Sequence, residues 1–292
     1  MISVIIPTYN REEFLAGAIR SVLEQTHPCD ELLIVDDGST DNTKHLVEKT
    51  SREAKTKIPI RYLYQGNRGA AAARNLGIEN ARGELICFLD SDDRFVPEKL
   101  AIQKAALDAS DCLISHTGEK WYRRGNHLNR KRKHLPPDGS IFSSCLPMCV
   151  VGMSTVMIRR ELFARHGLFD PDLPCCEDYD FWLRVSAKER FKLVPDQLTI
   201  KNGGRPDQLS AIHRVGMDRY RITALANLLE RVSLTVEQQK LAVAELQRKC
   251  RIYGSGCIKH GRAEEGRRYL ALAEEFAKRV FQSPENCEST GN

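Results

Sequence analysis

The chain has 292 residues and a formal net charge of +5, and 41% of its residues are hydrophobic. That composition supports a sizeable core and excludes global disorder, and so mild a charge gives no argument for a nucleic-acid partner. No apolar stretch approaches the ~20 residues that cross a bilayer, and a start in strand-like Met1-Ile2-Ser3-Val4 predicts no signal peptide.

Residues 2–6 are apolar and β-branched, which predicts a buried strand ended by Pro7-Thr8-Tyr9-Asn10. Residues 12–25 carry Phe14, Leu15, Ala18, Ile19, Val22 and Leu23 at helical spacing. A second strand over 32–35 ends in Asp36-Asp37-Gly38-Ser39 and is followed by a helix over 41–51, with Asp41 or Asn42 as its N-cap. A third strand covers 60–64 and an alanine-rich helix 69–80. The apolar run 84–89 then ends in Asp90-Ser91-Asp92-Asp93, before a helix from about Pro97 to 109. Strands alternating with helices predict an α/β fold with a mainly parallel, Rossmann-like sheet covered on both faces. Ligands of such sheets bind beyond the carboxyl ends of the strands, so the three strand ends converge on one crevice. Carboxylates crowded at Asp90, Asp92 and Asp93 repel one another. A hard cation such as Mg²⁺ or Mn²⁺ relieves that repulsion and commonly accompanies a phosphate-bearing substrate. The plain alternative is an acidic turn after a strand.

Beyond residue 111 the pattern changes. Residues 111–115 and 153–158 read as strands, and 160–166 as a short helix. Residues 119–134 are polar and basic and read as a solvated loop; the functional alternative is contact with an anionic acceptor or a membrane surface through 120–134. Glu177-Asp178 opens a helix whose apolar side is Phe181, Trp182 and Val185. After Lys201 the alternation stops, and 219–229, 235–252 and 263–281 are helical. The last two resemble one tetratricopeptide-type hairpin, which alone is a pair of packing helices and no repeat array. Residues 283–292 read as a disordered polar tail. The ten cysteines lack zinc spacing, which fits free thiols in a reducing cytosol.

Val4-Ile5-Ile6-Pro7-Thr8-Tyr9-Asn10, Ile34-Val35-Asp36-Asp37-Gly38-Ser39-Thr40-Asp41, Gly69 through Arg74-Asn75, Gly83, Asp90-Ser91-Asp92-Asp93 and Glu177-Asp178 together resemble the family-2 glycosyltransferases of the GT-A fold. The resemblance covers residue 2 to about 200 and excludes the helical C-terminal third. It implies a catalytic domain over 1–205, with a nucleotide-binding half at 1–110 and an acceptor-binding half at 111–205; the apolar spacing adds a helical region at 206–282. The resemblance further implies inverting transfer of a sugar from a nucleotide diphosphate, usually UDP, to an acceptor hydroxyl. By the same resemblance Pro7, Thr8, Tyr9 and Asp37 match the base pocket, and Arg74, Asp90 and Ser91 lie near the nucleotide. Asp92 matches the acid that holds Mn²⁺ or Mg²⁺ on the diphosphate, and Asp178 the general base. Gln208, Ser210, His213 and Arg214 fall where a loop closes over the donor. The partners so implied are a nucleotide-sugar donor and a glycan or lipid-linked acceptor, in surface polysaccharide or glycoconjugate synthesis. The setting is cytoplasmic or peripheral at the inner face of the membrane.

Breaking a sugar–phosphate bond puts charge on the departing diphosphate, which a divalent cation offsets. Arg74, Arg205 or Arg214 could add charge-assisted hydrogen bonds. Plainer roles compete: Asp178 or Glu177 as a helix cap, Tyr9 as core, Asp36-Asp37-Gly38-Ser39 as a simple turn. The competing functions are a nucleotidyltransferase and a non-catalytic carbohydrate-binding protein on the same fold. A dehydrogenase is disfavoured because no G-x-G-x-x-G follows a strand.

Overall fold

The computed structural model describes residues 1–54, 56–129 and 134–281. Its first half runs β1 (Ile2–Thr8), α1 (Glu12–Leu23), β2 (Glu31–Asp36), α2 (Thr43–Glu53), β3 (Ile60–Tyr64), α3 (Ala70–Asn80) and β4 (Leu85–Phe88). β1 lies between β2 and β4, parallel to both, so that Val4 faces Leu32 on one side and Cys87 on the other. Strand residues alternate between the two faces. Val4, Ile6, Leu32 and Ile34 pack against α1 through Leu15, Ile19 and Val22. Ile5, Leu33, Val35 and Phe88 belong to the core on the other face.

The second half adds β5 (Arg94–Phe95), α4 (Lys99–Asp108), β6 (Ile114–Arg123), β7 (Asn126–Leu128), α5 (Phe142–Cys145), β8 (Met157–Arg159), α6 (Glu161–His166), α7 (Glu177–Ser186) and β9 (Phe191–Gly203). The sheet order is β3-β2-β1-β4-β8-β6-β9-β5, with β7 paired to β6. This is the mainly parallel α/β sheet expected, flanked by helices, with antiparallel pairings where β8 meets β4 and β6.

Three expectations need correction. Residues 119–129 are not a loop: β6 runs to Arg123 and turns back into β7. β9 pairs with β6 along its whole length and supplies the backbone partners that a polar sequence needs to stay extended. Residues 130–133 of that basic stretch lie outside the described residues. β9 itself was not expected. Its apolar residues are interrupted by Pro195-Asp196-Gln197, where the pairing register shifts opposite Thr117–Glu119, and an interrupted alternation hides a strand. Within 153–158, Met153–Thr155 is a 3-10 turn and only the end is strand.

The chain closes with α8 (Leu209–Ile212), α9 (Met217–Arg231), α10 (Val236–Lys259) and α11 (Ala263–Phe281). α10 continues through Gly254 and Gly256. A Cβ at Gly254 would stand 2.8 Å from the carbonyl oxygen of Gly266, so these two glycines let α10 and α11 approach backbone to backbone. Ile222, Leu225, Leu228, Leu246 and Phe276 from the last three long helices join Phe181 and Trp182 of α7 in one continuous apolar cluster. The C-terminal helices therefore brace the helix that carries Asp178. The expected tail at 283–292 lies outside the described residues. Among the described residues the cysteines are free, and no helix is long and apolar enough to cross a membrane.

Candidate active site

The carboxyl ends of β1, β2 and β4 open onto a cavity of about 750 Å³, lined on this side by Thr8, Tyr9, Asp37, Asp90 and Asp92. The Thr8 hydroxyl is buried there without a hydrogen-bond partner, an orphaned group that a ligand could satisfy. Tyr9 is 43% exposed, so its ring is not core. Asn10 adopts φ +50° and ties this loop to the next one: its N–H donates to Ser39 Oγ at 2.9 Å, and its Oδ1 accepts from Thr40 N–H at 2.8 Å.

The two acids after β2 divide their work. Asp36 is consumed locally, accepting from Ser39 N–H at 2.7 Å and from the Tyr62 hydroxyl at 2.6 Å. Asp37 faces the cavity and orders the loop before α3. It accepts from Gln65 Nε2 at 2.6 Å, Arg68 N–H at 2.8 Å and Gly69 N–H at 2.8 Å.

Arg74 comes off α3 and is almost wholly buried. Its Nη1 donates to Glu177 Oε1 at 2.5 Å and its Nη2 to Asp90 Oδ1 at 3.0 Å. Burial pushes the Glu177 carboxyl up, against the opposing pull of Arg74. A charge placed this deep is tolerated because both carboxylates meet it. The expected nucleotide contact thus has both terminal nitrogens committed to acids, as a brace from α3 to the strand end and to α7.

The acids after β4 also separate. Asp93 is buried and accepts from Ser154 Oγ at 2.7 Å and from Asn202 N–H at 3.1 Å. Burial raises its carboxyl to about 8, although Lys201 Nζ lies 4.0 Å away and opposes the rise. It serves β9 and the 3-10 turn, with β5 between it and α4. Ser91 lines the cavity with it. Asp92 is the acid that turns toward the segment after β9. Its Oδ2 accepts from Arg205 Nη2 and from Gln208 Nε2, the latter at 3.3 Å. Arg205 also lies 4.2 Å over the Phe14 ring, and Arg11 grips Asp207 at 2.8 Å. Gln208 and Ser210 line the cavity, whereas His213 and Arg214 do not; His213 packs edge-on against Tyr220.

Asp178 enters the cavity from the first turn of α7. The N-cap position belongs to Cys176, held at φ +67° with no side-chain cap bond, so neither Asp178 nor Glu177 acts as the cap. Asp178 Oδ1 accepts from Tyr179 N–H at 2.7 Å, and Oδ2 accepts from the Cys149 thiol at 3.3 Å. Burial pushes Cys149 well above the usual thiol range, which keeps it protonated and donating. Sequence reasoning missed Cys149, Met217 and Arg221, all of which line the cavity. Only the four-residue spacing of the last two on a helix could have flagged them as sharing a face.

Among the described residues no three His, Cys, Asp or Glu side chains come together as a metal cage. One or two carboxylates at a strand end suit a Mg²⁺- or Mn²⁺-type ion whose remaining ligands are phosphate oxygens and water. The Arg205 guanidinium on Asp92 shows that this carboxylate already accepts a cationic partner.

Residues 3–167 match the model of glycosyl transferase family 2. An uncharacterized glycosyltransferase of Rickettsia felis is 37% identical over 204 residues, a stretch covering 68% of this chain and 32% of that protein. The chain thus spans about a third of the length of that relative. The Escherichia coli UDP-Glc:alpha-D-GlcNAc-diphosphoundecaprenol beta-1,3-glucosyltransferase WfgD is 32% identical over 194 residues, covering 66% of this chain and 73% of WfgD. Among solved structures, residues 1–349 of S. aureus TarS in complex with UDP-GlcNAc superpose with a TM-score of 0.73 at 20% identity, over 96% of this chain and 81% of that one. That likeness establishes a GT-A-like fold.

Proposed function

The chain belongs to glycosyl transferase family 2, and from that premise we propose that it transfers a sugar, with inversion, from a UDP-sugar to an acceptor hydroxyl. The observation that carries this reading is that Asp92 and Asp178, acids from distant parts of the chain, line one cavity together with Thr8, Tyr9 and Asp37. Tyr9 offers an exposed ring on which a base can stack. Thr8 offers an unspent hydroxyl. Asp37 keeps spare lone pairs to accept from a base N–H.

A Mg²⁺ or Mn²⁺ ion arriving with the donor would be held by Asp92, with Asp90 beside it, and would offset the charge that develops on the departing diphosphate. Asp92, which Arg205 already holds, would then serve both the segment after β9 and the ion. Asp178 takes the proton of the acceptor hydroxyl as its oxygen attacks the anomeric carbon. The donors from Tyr179 and Cys149 fix the orientation of the carboxylate. A single displacement needs one base and no covalent intermediate, and one such acid suffices here. Family membership sets aside the nucleotidyltransferase alternative, and the intact Asp92 and Asp178 argue against a purely binding role.

The acceptor is read as a glycan or a lipid-linked sugar in surface polysaccharide synthesis, reached from the cytoplasmic side. The basic hairpin around Lys120, Arg123 and Arg124 remains a candidate for electrostatic contact with an anionic membrane. Product formation from a panel of UDP-sugars, with Mn²⁺ and with a chelator, tests the proposal. Turnover of at least one UDP-sugar that the chelator abolishes is the expected result. Equal turnover in the chelator contradicts the role given to Asp92, and no turnover of any nucleotide sugar contradicts the activity.

A further inference from the structure

Among the described residues four cations line the cavity, and three of them are matched there by acids of the same cavity. Arg11 pairs with Asp207, Arg74 with Glu177 and Asp90, and Lys201 with Asp93. The fourth, Arg221, comes from α9, outside the stretch matched by the family model. Its acid is Asp218, at 3.1 Å from Nη1, which is not a cavity residue. That acid is itself shared, since Lys249 Nζ lies 3.9 Å from the same oxygen. Lys249 and Arg248 then divide Glu245 between them, at 3.1 Å and 2.6 Å. Three cations thus share two carboxylates, and the local excess of charge is positive. The Arg221 Nε, like that of Arg74, is buried without a hydrogen-bond partner, but Arg74 has both terminal nitrogens on acids of the cavity whereas Arg221 has one on an acid outside it.

The location is as informative as the charge. α9 packs on α7, and the Arg221 charge acts on Cys176 and on Tyr179, the neighbours of Glu177-Asp178. Met217, one turn earlier on the same face, lines the cavity as well. If Asp178 is the base, the space next to it belongs to the acceptor. A guanidinium with free donors there suits a planar or tetrahedral oxyanion, which it binds by charge-assisted, often bidentate hydrogen bonds.

We propose that Arg221 binds an oxyanion carried by the acceptor, a phosphate or a carboxylate close to the hydroxyl attacked, so that the C-terminal helices select a charged acceptor for the catalytic domain. This rests on the glycosyl-transfer reading above. The test compares three acceptors with the wild-type protein, Arg221→Gln and Arg221→Lys: a glycosyl diphosphate, a uronic acid glycoside and a neutral alkyl glycoside. The wild type is expected to prefer one of the two charged acceptors, and which one identifies the source of the oxyanion. Arg221→Gln is expected to raise KM for that acceptor roughly 10- to 100-fold, the range for losing hydrogen bonds to a charged group. KM for the neutral acceptor and affinity for UDP should stay within about twofold, and Arg221→Lys should recover part of the loss. Thermal melts of both variants identify any unfolding, and the charge-retaining lysine keeps the comparison decisive if the glutamine variant is unstable. An equal loss on charged and neutral acceptors, or no loss on either, overturns the proposal. A wild type that neither binds UDP nor turns over a nucleotide sugar overturns the underlying reading and the proposal with it. A wild type that does both while Arg221→Gln is unchanged overturns the proposal alone.

Discussion

Asp178→Asn is expected to lower turnover by about 10²- to 10⁴-fold, the usual range for removing a positioned general base, with UDP-sugar affinity changed by no more than a small factor. The substitution preserves shape, and the amide oxygen can still accept from Tyr179 N–H, now at 2.7 Å from Oδ1. What it loses is an atom able to hold the acceptor's proton. The loss should therefore fall on kcat, because the donor contacts proposed for Thr8, Tyr9, Asp37 and Asp92 come from other elements. Steady-state kinetics beside calorimetric UDP-sugar binding separate the two quantities. Near-normal kcat in Asp178→Asn would remove the base from this carboxylate.

Arg74→Ala should destabilise the fold by about 3–5 kcal/mol, the cost of leaving buried carboxylates without their cation. The Glu177 and Arg74 side chains are each only 7% exposed, so water cannot take over the lost pairing. Burial already pushes the Glu177 carboxyl above its ordinary range. Without Arg74 that push is unopposed, and the folded state binds the proton more tightly than the unfolded chain does. Stability contributed by the protonated form is present at low pH and lost as pH rises through the folded-state value. Urea denaturation of Arg74→Ala should therefore show a larger deficit at pH 8 than at pH 5. Pairing the change with Glu177→Gln should recover part of it. Wild-type stability in Arg74→Ala would contradict the brace and return Arg74 to the role of a nucleotide contact.

The acids that Arg74 pairs with are not legible in the sequence. The family resemblance puts Arg74 near the nucleotide, and its partner Glu177 is 103 residues away. Nothing local advertises that pairing. The same distance problem hides Arg205 on Asp92, 113 positions apart, and Cys149 on Asp178, where a lone thiol carries no pattern at all. Strands β1, β2 and β4 were legible because they are almost wholly buried and so close to continuous in hydrophobicity. Their acidic or polar ends followed directly, and with them one side of the cavity wall. β9 and the outer half of β6 were not legible. Their polar residues are held in the sheet by each other's backbone, and a bulge beside Pro195-Asp196 breaks the alternation that would have marked them. The C-terminal helices were visible by their spacing. Their attachment to α7 was not, since helical periodicity names an apolar face without naming what covers it.

The most direct measurement is calorimetric titration of UDP into the wild-type protein and into Asp92→Ala, each with Mn²⁺ and with a chelator. Binding by the wild type that requires Mn²⁺, and is lost or made metal-independent and weak in Asp92→Ala, is the predicted result. Failure of the wild type to bind UDP under either condition, or equal Mn²⁺-dependent binding by both proteins, would contradict a nucleotide-diphosphate site organised by Asp92.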